Sequence, residues 1–343
     1  MAFVTKLSRF SETVSSQLIS VGLDVHKKTY SVCLYRTDGI YEVFSMPSDN
    51  YKLITILAPF KENITRIAYE AGPTGFKLAR DLIREGYEVI VAAPSRVPRP
   101  VSPSNKTDNL DAKKLAEFAM SGLLNPIAIP TVEEESYRRL VRRRNQITDS
   151  IRRVKQRIKA VLLSFSIKEP DKLIRWANDA IEELRQIDVP CRETLDSLLR
   201  EMDFLKYEQS ILDEQIAEQT EQHKAKKVKL LHGVGQIVAT NFLAEVFRPE
   251  RFNRAEEVTA YLGLAPMISQ SGSGKARTRL RPVGQQRLRS LIIEAAWIWR
   301  SKDEEAMEFY NRILSRTGLP QKAIVALARK LAVRMWKSAV HAA

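Results

Sequence analysis

Hydrophobic and polar positions change rhythm twice along the 343 residues of this chain. In the first third, apolar residues come in short runs punctuated by turn signals. Residues 19–24 (Ile-Ser-Val-Gly-Leu-Asp) form such a run and close on an acid, which predicts a buried strand. Runs at Val32–Tyr35 and Tyr41–Met46 flank Thr37-Asp38-Gly39, so an antiparallel three-strand start is expected. Leu53–Phe60 and Gly75–Glu85 read as helices, and Ile64–Glu70 and Tyr87–Ala92 as strands. A β-β-β-α-β-α-β order implies a mixed sheet with helices packed on its faces. Residues 94–106 are rich in Pro and Ser and read as a loop. Thr107 or Asp108 then caps a helix reaching about Ser121.

The middle of the chain has a different period. Leu140, Ile147, Ile151, Val154, Ile158, Val161 and Phe165 recur at coiled-coil spacing, as do Leu195, Leu198, Met202, Leu205, Leu212 and Ile216. Gln209 occupies one expected apolar position. An antiparallel hairpin is the expected local form, joined through the less regular residues 168–192; association between chains is the other use of such seams.

The last third opens on Leu230-Leu231-His232-Gly233-Val234-Gly235-Gln236. This resembles a helix-hairpin-helix, whose glycines (here Gly233 and Gly235) let backbone N–H groups approach a phosphate. A plain joint between packed helices fits so short a pattern equally well. A Ser/Gly-rich loop, Ser269 to Lys275, follows, with basic residues continuing to Arg289. Helices over about 283–300 and 321–340 are expected to end the chain.

Charge changes the picture. Lys and Arg number 55 against 41 Asp and Glu, a net +14, and the excess is unevenly spread. Residues 1–125 are near balance, 126–225 carry −1, and 226–343 carry +12. Within the balanced middle, Arg138 to Lys159 holds ten basic residues and one acid, Asp149. One basic block is usually a solvated face; two in such a chain favour phosphate contacts, here through Arg142, Arg143, Arg144, Arg152, Arg153 and Lys155 and through Lys275, Arg277, Arg279 and Arg287. The two cysteines, Cys33 and Cys191, are too far apart for a CxxC site or a disulfide framework. No apolar run is long enough to span a bilayer and no secretory signal is evident, so the expectation is a cytoplasmic, nucleoid-associated protein without a membrane partner.

Four acids stand where a metal site would need them. Asp24 closes the first strand, Glu70 closes the fourth, and Asp108 and Asp111 share one face at a helix start. Carboxylates converging at one sheet edge suit Mg²⁺ or Mn²⁺ and a phosphodiester. Each has a plainer reading: Asp108 as an N-cap, Asp111 as a first-turn acid, Glu70 as a partner of Lys77 or Arg80. Asp24 has no such structural reason. His26 offers a fifth donor, although a surface histidine is its simpler reading.

Three segments together resemble a known family. Gly22-Leu23-Asp24-Val25-His26-Lys27-Lys28, Tyr69-Glu70-Ala71-Gly72-Pro73-Thr74-Gly75 and Lys106-Thr107-Asp108-Asn109-Leu110-Asp111-Ala112 are similar to the three acidic motifs of the DEDD insertion-sequence transposases of the IS110 family. Gly263-Leu264-Ala265-Pro266 through Ser271-Gly272, then Arg287-Leu288-Arg289, resemble that family's C-terminal domain. The resemblance implies an N-terminal extension (1–18), a ribonuclease-H-like (RuvC-like) mixed sheet domain (19–125), a coiled-coil linker (126–225) and a mainly helical transposase domain (226–343).

It also implies a chemistry. Asp24, Glu70, Asp108 and Asp111 would bind Mg²⁺ (or Mn²⁺), and a serine would form a covalent phosphoserine with DNA. Ser271 best keeps the family's Ser-Gly pattern, with Ser269 and Ser273 as alternatives. Expected partners are element and target DNA, a noncoding bridge RNA, and further copies of the chain in a dimer or tetramer. Rival readings are a DNA invertase without guide RNA, a metal-only junction resolvase and a nonenzymatic nucleic-acid scaffold. A sugar kinase with a similar strand-acid-hairpin start would need Gly-rich phosphate loops, which the sequence lacks.

Overall fold

The computed structural model describes Phe10 and residues 17–98, 108–220, 222–269, 277–280 and 284–341. The chain divides into two compact units, Met1–Thr131 and Val132–Ala343.

In the first unit the short apolar runs become β1 (Ile19–Val25), β2 (Thr29–Arg36), β3 (Tyr41–Pro47), β4 (Ile64–Glu70) and β5 (Val89–Ala92). The intervening helices are α1 (Asn50–Leu57) and α2 (Lys77–Arg84), and α3 (Asp108–Met120) follows β5. The strands form one mixed sheet in the order β3-β2-β1-β4-β5. β2 is antiparallel to both β1 and β3, whereas β4 is parallel to both β1 and β5. α1 begins three residues before the expected start because the Asp49 side chain accepts from the Lys52 N–H at 3.0 Å, satisfying an orphan donor of the first turn.

Period-two alternation in β1 builds two different faces. Ile19, Val21 and Leu23 join Leu53 and Leu57 of α1 and Leu78 and Leu82 of α2 in one core. Ser20, Gly22 and Asp24 point to the other side, where α3 lies. There the Ser20 hydroxyl donates to the Ala116 carbonyl at 2.6 Å. Ala112 and Ala116 pack on Cys33, a small-residue contact that lets helix and sheet approach closely.

In the second unit, α4 (Val132–Ser164) and α6 (Arg192–Gln219) form the expected antiparallel hairpin, with α5 (Asn178–Gln186) between them. Arg157 faces Glu201 at 3.6 Å, Arg144 faces Asp213 at 2.9 Å, and Tyr137 faces Thr220 at 2.8 Å. Gln209, at an apolar position of the pattern, donates to the Thr148 hydroxyl at 2.8 Å. The seam itself differs from the strict heptad reading. Val141 and Leu162 are buried where Leu140 and Val161 were expected, Leu199 is buried where Leu198 was expected, and Phe165 is exposed. The stripe is wider because α4 also packs on Ala244 of the later helix over residues 236–245 and on α5, and Leu140, Val161 and Leu198 lie partly buried at its edge.

The remainder contains α7 (Gln222–Lys229), α8 (Gln236–Glu245), α9 (Ala255–Tyr261), the ribbon β6 (Pro266–Ser269) and β7 (Arg277–Leu280), then α10 (Gln286–Lys302), α11 (Glu304–Thr317) and α12 (Pro320–Val340). Phe242, Trp299, Leu327 and Met335 are central to its core. α11 was not expected from the sequence. Its signals are local: Asp303 caps it by accepting from the Ala306 N–H at 2.8 Å, and Gly318 ends it at φ +66°. Among the described residues no helix is long and apolar enough to cross a membrane.

Candidate metal centre and nucleic-acid interface

The acidic centre depends on one close approach. A Cβ at Gly22 would stand 2.0 Å from the Ala112 carbonyl oxygen and 2.4 Å from the Ala116 nitrogen. Only glycine admits α3 to this depth over β1. The consequence appears two residues along the strand, where Asp24 meets the first turn of α3.

Asp24, His26 and Asp108 have ligand atoms all within 4.8 Å of one another. The His26 Nε2 lies 3.1 Å from Asp24 Oδ2 and 3.6 Å from Asp108 Oδ2. Burial is the main influence raising the Asp24 carboxyl above its ordinary value; His26 opposes it, and Asp108 and Asp111 add to it. A partly buried carboxylate beside two further acids is an electrostatic excess that a divalent cation relieves, and hard oxygen donors suit such an ion. The donor set therefore fits a divalent metal.

The other two predicted acids stand outside this three-residue group. Asp111 follows on the same face of α3, with Lys114 Nζ 3.7 Å from its carboxylate. Glu70 ends β4 one residue beyond Tyr69, which pairs with Leu23 of β1. That register brings Glu70 to the same sheet edge as Asp24, and its side chain is exposed. The third member of the group is the imidazole of His26, whose simpler reading from sequence is a surface histidine. Its signal is position: His26 follows β1 directly, and its backbone N–H donates to the Thr29 carbonyl at 3.0 Å across the turn into β2.

The predicted basic block separates into residues with different commitments. Arg142 makes two bonds to Glu245, at 2.7 and 2.8 Å, and that glutamate side chain is only 6% exposed. The same bonds raise the Arg142 pKa further. Arg144 holds Asp213 across the hairpin. Arg152 is 3.3 Å from Asp149, and the Lys155 ammonium sits 4.9 Å from the Trp176 ring centre. Burial is the main cause lowering the Lys155 pKa, with Lys206 contributing. Arg143 and Arg153 are exposed and make no ion pair among the described residues.

In the last third, Gly233 has φ +83°, and a Cβ there would lie 2.2 Å from the Ala295 carbonyl oxygen of α10. Packing accounts for this glycine. Gly235, at the N-cap of α8, has open space around it. The Arg287 Nε is buried without a hydrogen-bond partner among the described residues, beside a polar cleft lined by Arg142, Asn145, Asn241 and Glu245. Arg277 and Arg279 lie on β7, and Ser269 pairs with Arg277 at the end of the β6–β7 ribbon where the chain passes from one strand to the other. Ser271, Ser273 and Lys275 fall between these strands and lie outside the described residues.

A mixed sheet with a carboxylate-rich candidate metal site, joined in one chain to a strongly basic helical region, has the make-up of an enzyme that cleaves and rejoins DNA. Comparison with known sequences agrees. A family model of IS110-type DEDD transposases matches residues 21–167, and one described as the transposase IS116/IS110/IS902 family matches residues 225–311. A Sinorhizobium fredii protein, y4rJ, described as a transposase, is 30% identical over 304 residues, covering 80% of this chain and 76% of its own length. The transposase for insertion sequence element IS1533 of Leptospira borgpetersenii is 27% identical over 334 residues, covering 93% and 95%. A second S. fredii relative, y4qE, is 30% identical over 238 residues; the match covers 68% of this chain and 58% of that protein. The chain belongs to the IS110 family of DEDD transposases.

Proposed function

We propose that this transposase excises and inserts an insertion sequence by serine-mediated phosphoryl transfer, with Mg²⁺ (or Mn²⁺) at the acidic centre and a bridge RNA selecting the DNA sites. In this reading residues 19–125 form a ribonuclease-H-like (RuvC-like) domain, 126–225 a coiled-coil spacer, and 226–343 the transposase domain with a helix-hairpin-helix. The observation that supports it most is the convergence of Asp24 and Asp108, from a strand end and a helix start, on one ligand-sized space.

Asp24 and Asp108 would hold the cation, with Glu70 and Asp111 at the same edge. A bound divalent ion supplies Lewis-acid stabilisation of charge developing on the phosphodiester oxygens. The Ser271 hydroxyl attacks phosphorus and gives its proton to a carboxylate of the acidic centre, and the bond to the leaving sugar oxygen breaks as that oxygen takes up a proton. Lys275, Arg277 and Arg279 offset the phosphorane charge. The acidic centre of one copy serves the serine of another, so assembly into a dimer or tetramer is a condition for cutting. Arg143 and Arg153 grip nucleic-acid backbone, and nucleoid association follows from these contacts.

Labelled element-end DNA incubated with the purified full chain tests the nucleophile. Ser271→Ala is expected to abolish the covalent protein–DNA adduct, whereas Ser269→Ala and Ser273→Ala retain it; an undiminished Ser271→Ala adduct rejects the assignment. Recombination by protein stripped of a discrete RNA would replace guidance by the invertase reading.

A further inference from the structure

We propose that His26 is itself a ligand of the metal centre, through Nε2, and that this nitrogen donor makes the site prefer Mn²⁺ to Mg²⁺. The inference rests on the reading of Asp24 and Asp108 as metal-binding residues and adds the donor that decides which ion they select.

Geometry supplies the first reason. Adjacent donors on an octahedral ion with bonds of about 2.1 Å stand about 3.0 Å apart. The His26 Nε2 is 3.1 Å from Asp24 Oδ2 and 3.6 Å from Asp108 Oδ2, close to that spacing on both sides. Three donors drawn from a strand end, a turn and a helix start thus surround one space rather than forming a simple pair.

The second reason is what the ring does not do. Its side chain is 52% exposed, so apolar packing does not explain its position. It belongs to none of the hydrophobic clusters of the first unit, while its backbone is fixed by the 3.0 Å bond to Thr29. That bond fixes the turn that carries His26, and the ring reaches both carboxylates from it, hydrogen-bonded to Asp24 at 3.1 Å with Asp108 at 3.6 Å.

Chemistry then sets the preference. Mg²⁺ takes oxygen donors and gives up water reluctantly, so an imidazole adds little to its binding. Later first-row divalent ions bind nitrogen more readily, with affinity rising from Mn²⁺ onward. An Asp-His-Asp set therefore favours Mn²⁺ over Mg²⁺ more than carboxylates alone would. Binding through Nε2 leaves the proton on Nδ1.

Mn²⁺ binding to the purified full chain, followed by electron paramagnetic resonance and by Mg²⁺ competition, tests this directly. In the wild type, pulsed spectra of bound Mn²⁺ are expected to show coupling to an imidazole ¹⁴N. In His26→Asn that coupling disappears and Mn²⁺ affinity falls at least about tenfold, a loss that supporting residues of metal sites already reach. Mg²⁺ affinity changes less than Mn²⁺ affinity, and the thermal melt in chelator stays at the wild-type temperature. Bound Mn²⁺ without nitrogen coupling, or an equal loss for both ions, overturns the inference. Asp24→Asn separates the two levels: if it abolishes Mn²⁺ binding while His26→Asn is silent, only the role of His26 fails. If neither variant alters Mn²⁺ binding, the metal-centre reading fails with it.

Discussion

The backbone of Gly22 lies so close to the carbonyl of Ala112 that a methyl group at residue 22 would stand 2.0 Å from that oxygen. This contact sets how deeply α3 sits over β1, and thereby where Asp108 meets Asp24. Gly22→Ala is expected to destabilise the protein by about 1–3 kcal/mol, the usual range for overpacking, and to weaken Mn²⁺ binding although no ligand is changed. Calorimetric melting and metal titration of the same preparation check both effects. Wild-type metal affinity in the variant would show that α3 does not govern the centre.

Charge at the centre should act against stability until a cation arrives. Asp24 is partly buried and faces Asp108 and Asp111, which is why its carboxyl is raised. In chelator at neutral pH, Asp24→Asn is expected to melt higher than wild type, because a disfavoured negative charge has been removed. Added Mn²⁺ should stabilise the wild type and leave the variant unchanged. Thermal melts with and without metal give the comparison.

The basic block of α4 should divide into structural and binding residues. Arg142→Ala strands the buried Glu245 carboxylate and is expected to cost about 2 kcal/mol. Arg143→Ala and Arg153→Ala should leave denaturant stability unchanged. Each should instead reduce the slope of log affinity against log salt for nucleic acid by about 1. Chemical denaturation and salt-dependent filter binding distinguish the two classes.

The cap of α11 carries a pH signature. The Ala306 N–H bond to Asp303 is the main cause holding that carboxyl below its ordinary value. A depressed folded-state pKa contributes stability above the unfolded value near 4, and this is lost as pH falls through the folded value. Asp303→Ala is therefore expected to cost about 1 kcal/mol at pH 7 and progressively less below about pH 4. Parallel denaturation curves across that range would detect it.

The two thiols should differ sharply. Burial, above all, pushes the Cys33 thiol up to about 12, whereas Cys191 lies at an intermediate depth. A thiol reagent at pH 8 is expected to modify Cys191 in the native protein and Cys33 only after unfolding. Peptide mapping of the labelled sites reads the outcome.

Much of the architecture was legible because it rests on local signals. Alternation in Ile19–Asp24 and the Thr37-Asp38-Gly39 turn anticipate the first hairpin, and three- and four-residue steps anticipate the long hairpin of α4 and α6. α11 carries local signals as well: Ala306, Phe309, Tyr310, Ile313 and Leu314 recur at helical spacing, and Asp303 and Gly318 mark both ends. The seam shifted to Val141 and Leu162 because neighbouring helices, absent from a heptad count, widen the buried stripe. His26 reads as a surface histidine in the sequence for the same reason: a histidine after a strand acquires meaning only from what packs opposite it.

The sequence by itself determined the alternation of strands and helices, the uneven charge, and the acids at strand ends and a helix start. Each depends on the order of residues along a few turns of chain. Tertiary structure alone decided that Asp24, His26 and Asp108 face one space, that Arg142 belongs to Glu245, and that Gly233 is occupied by packing against α10. Those pairings join residues 84, 103 and 62 positions apart, as for Asp24–Asp108, Arg142–Glu245 and Gly233–Ala295. Their physical basis is close packing: a missing Cβ, a buried carboxylate and a helix seated on a sheet are set by what lies across the fold.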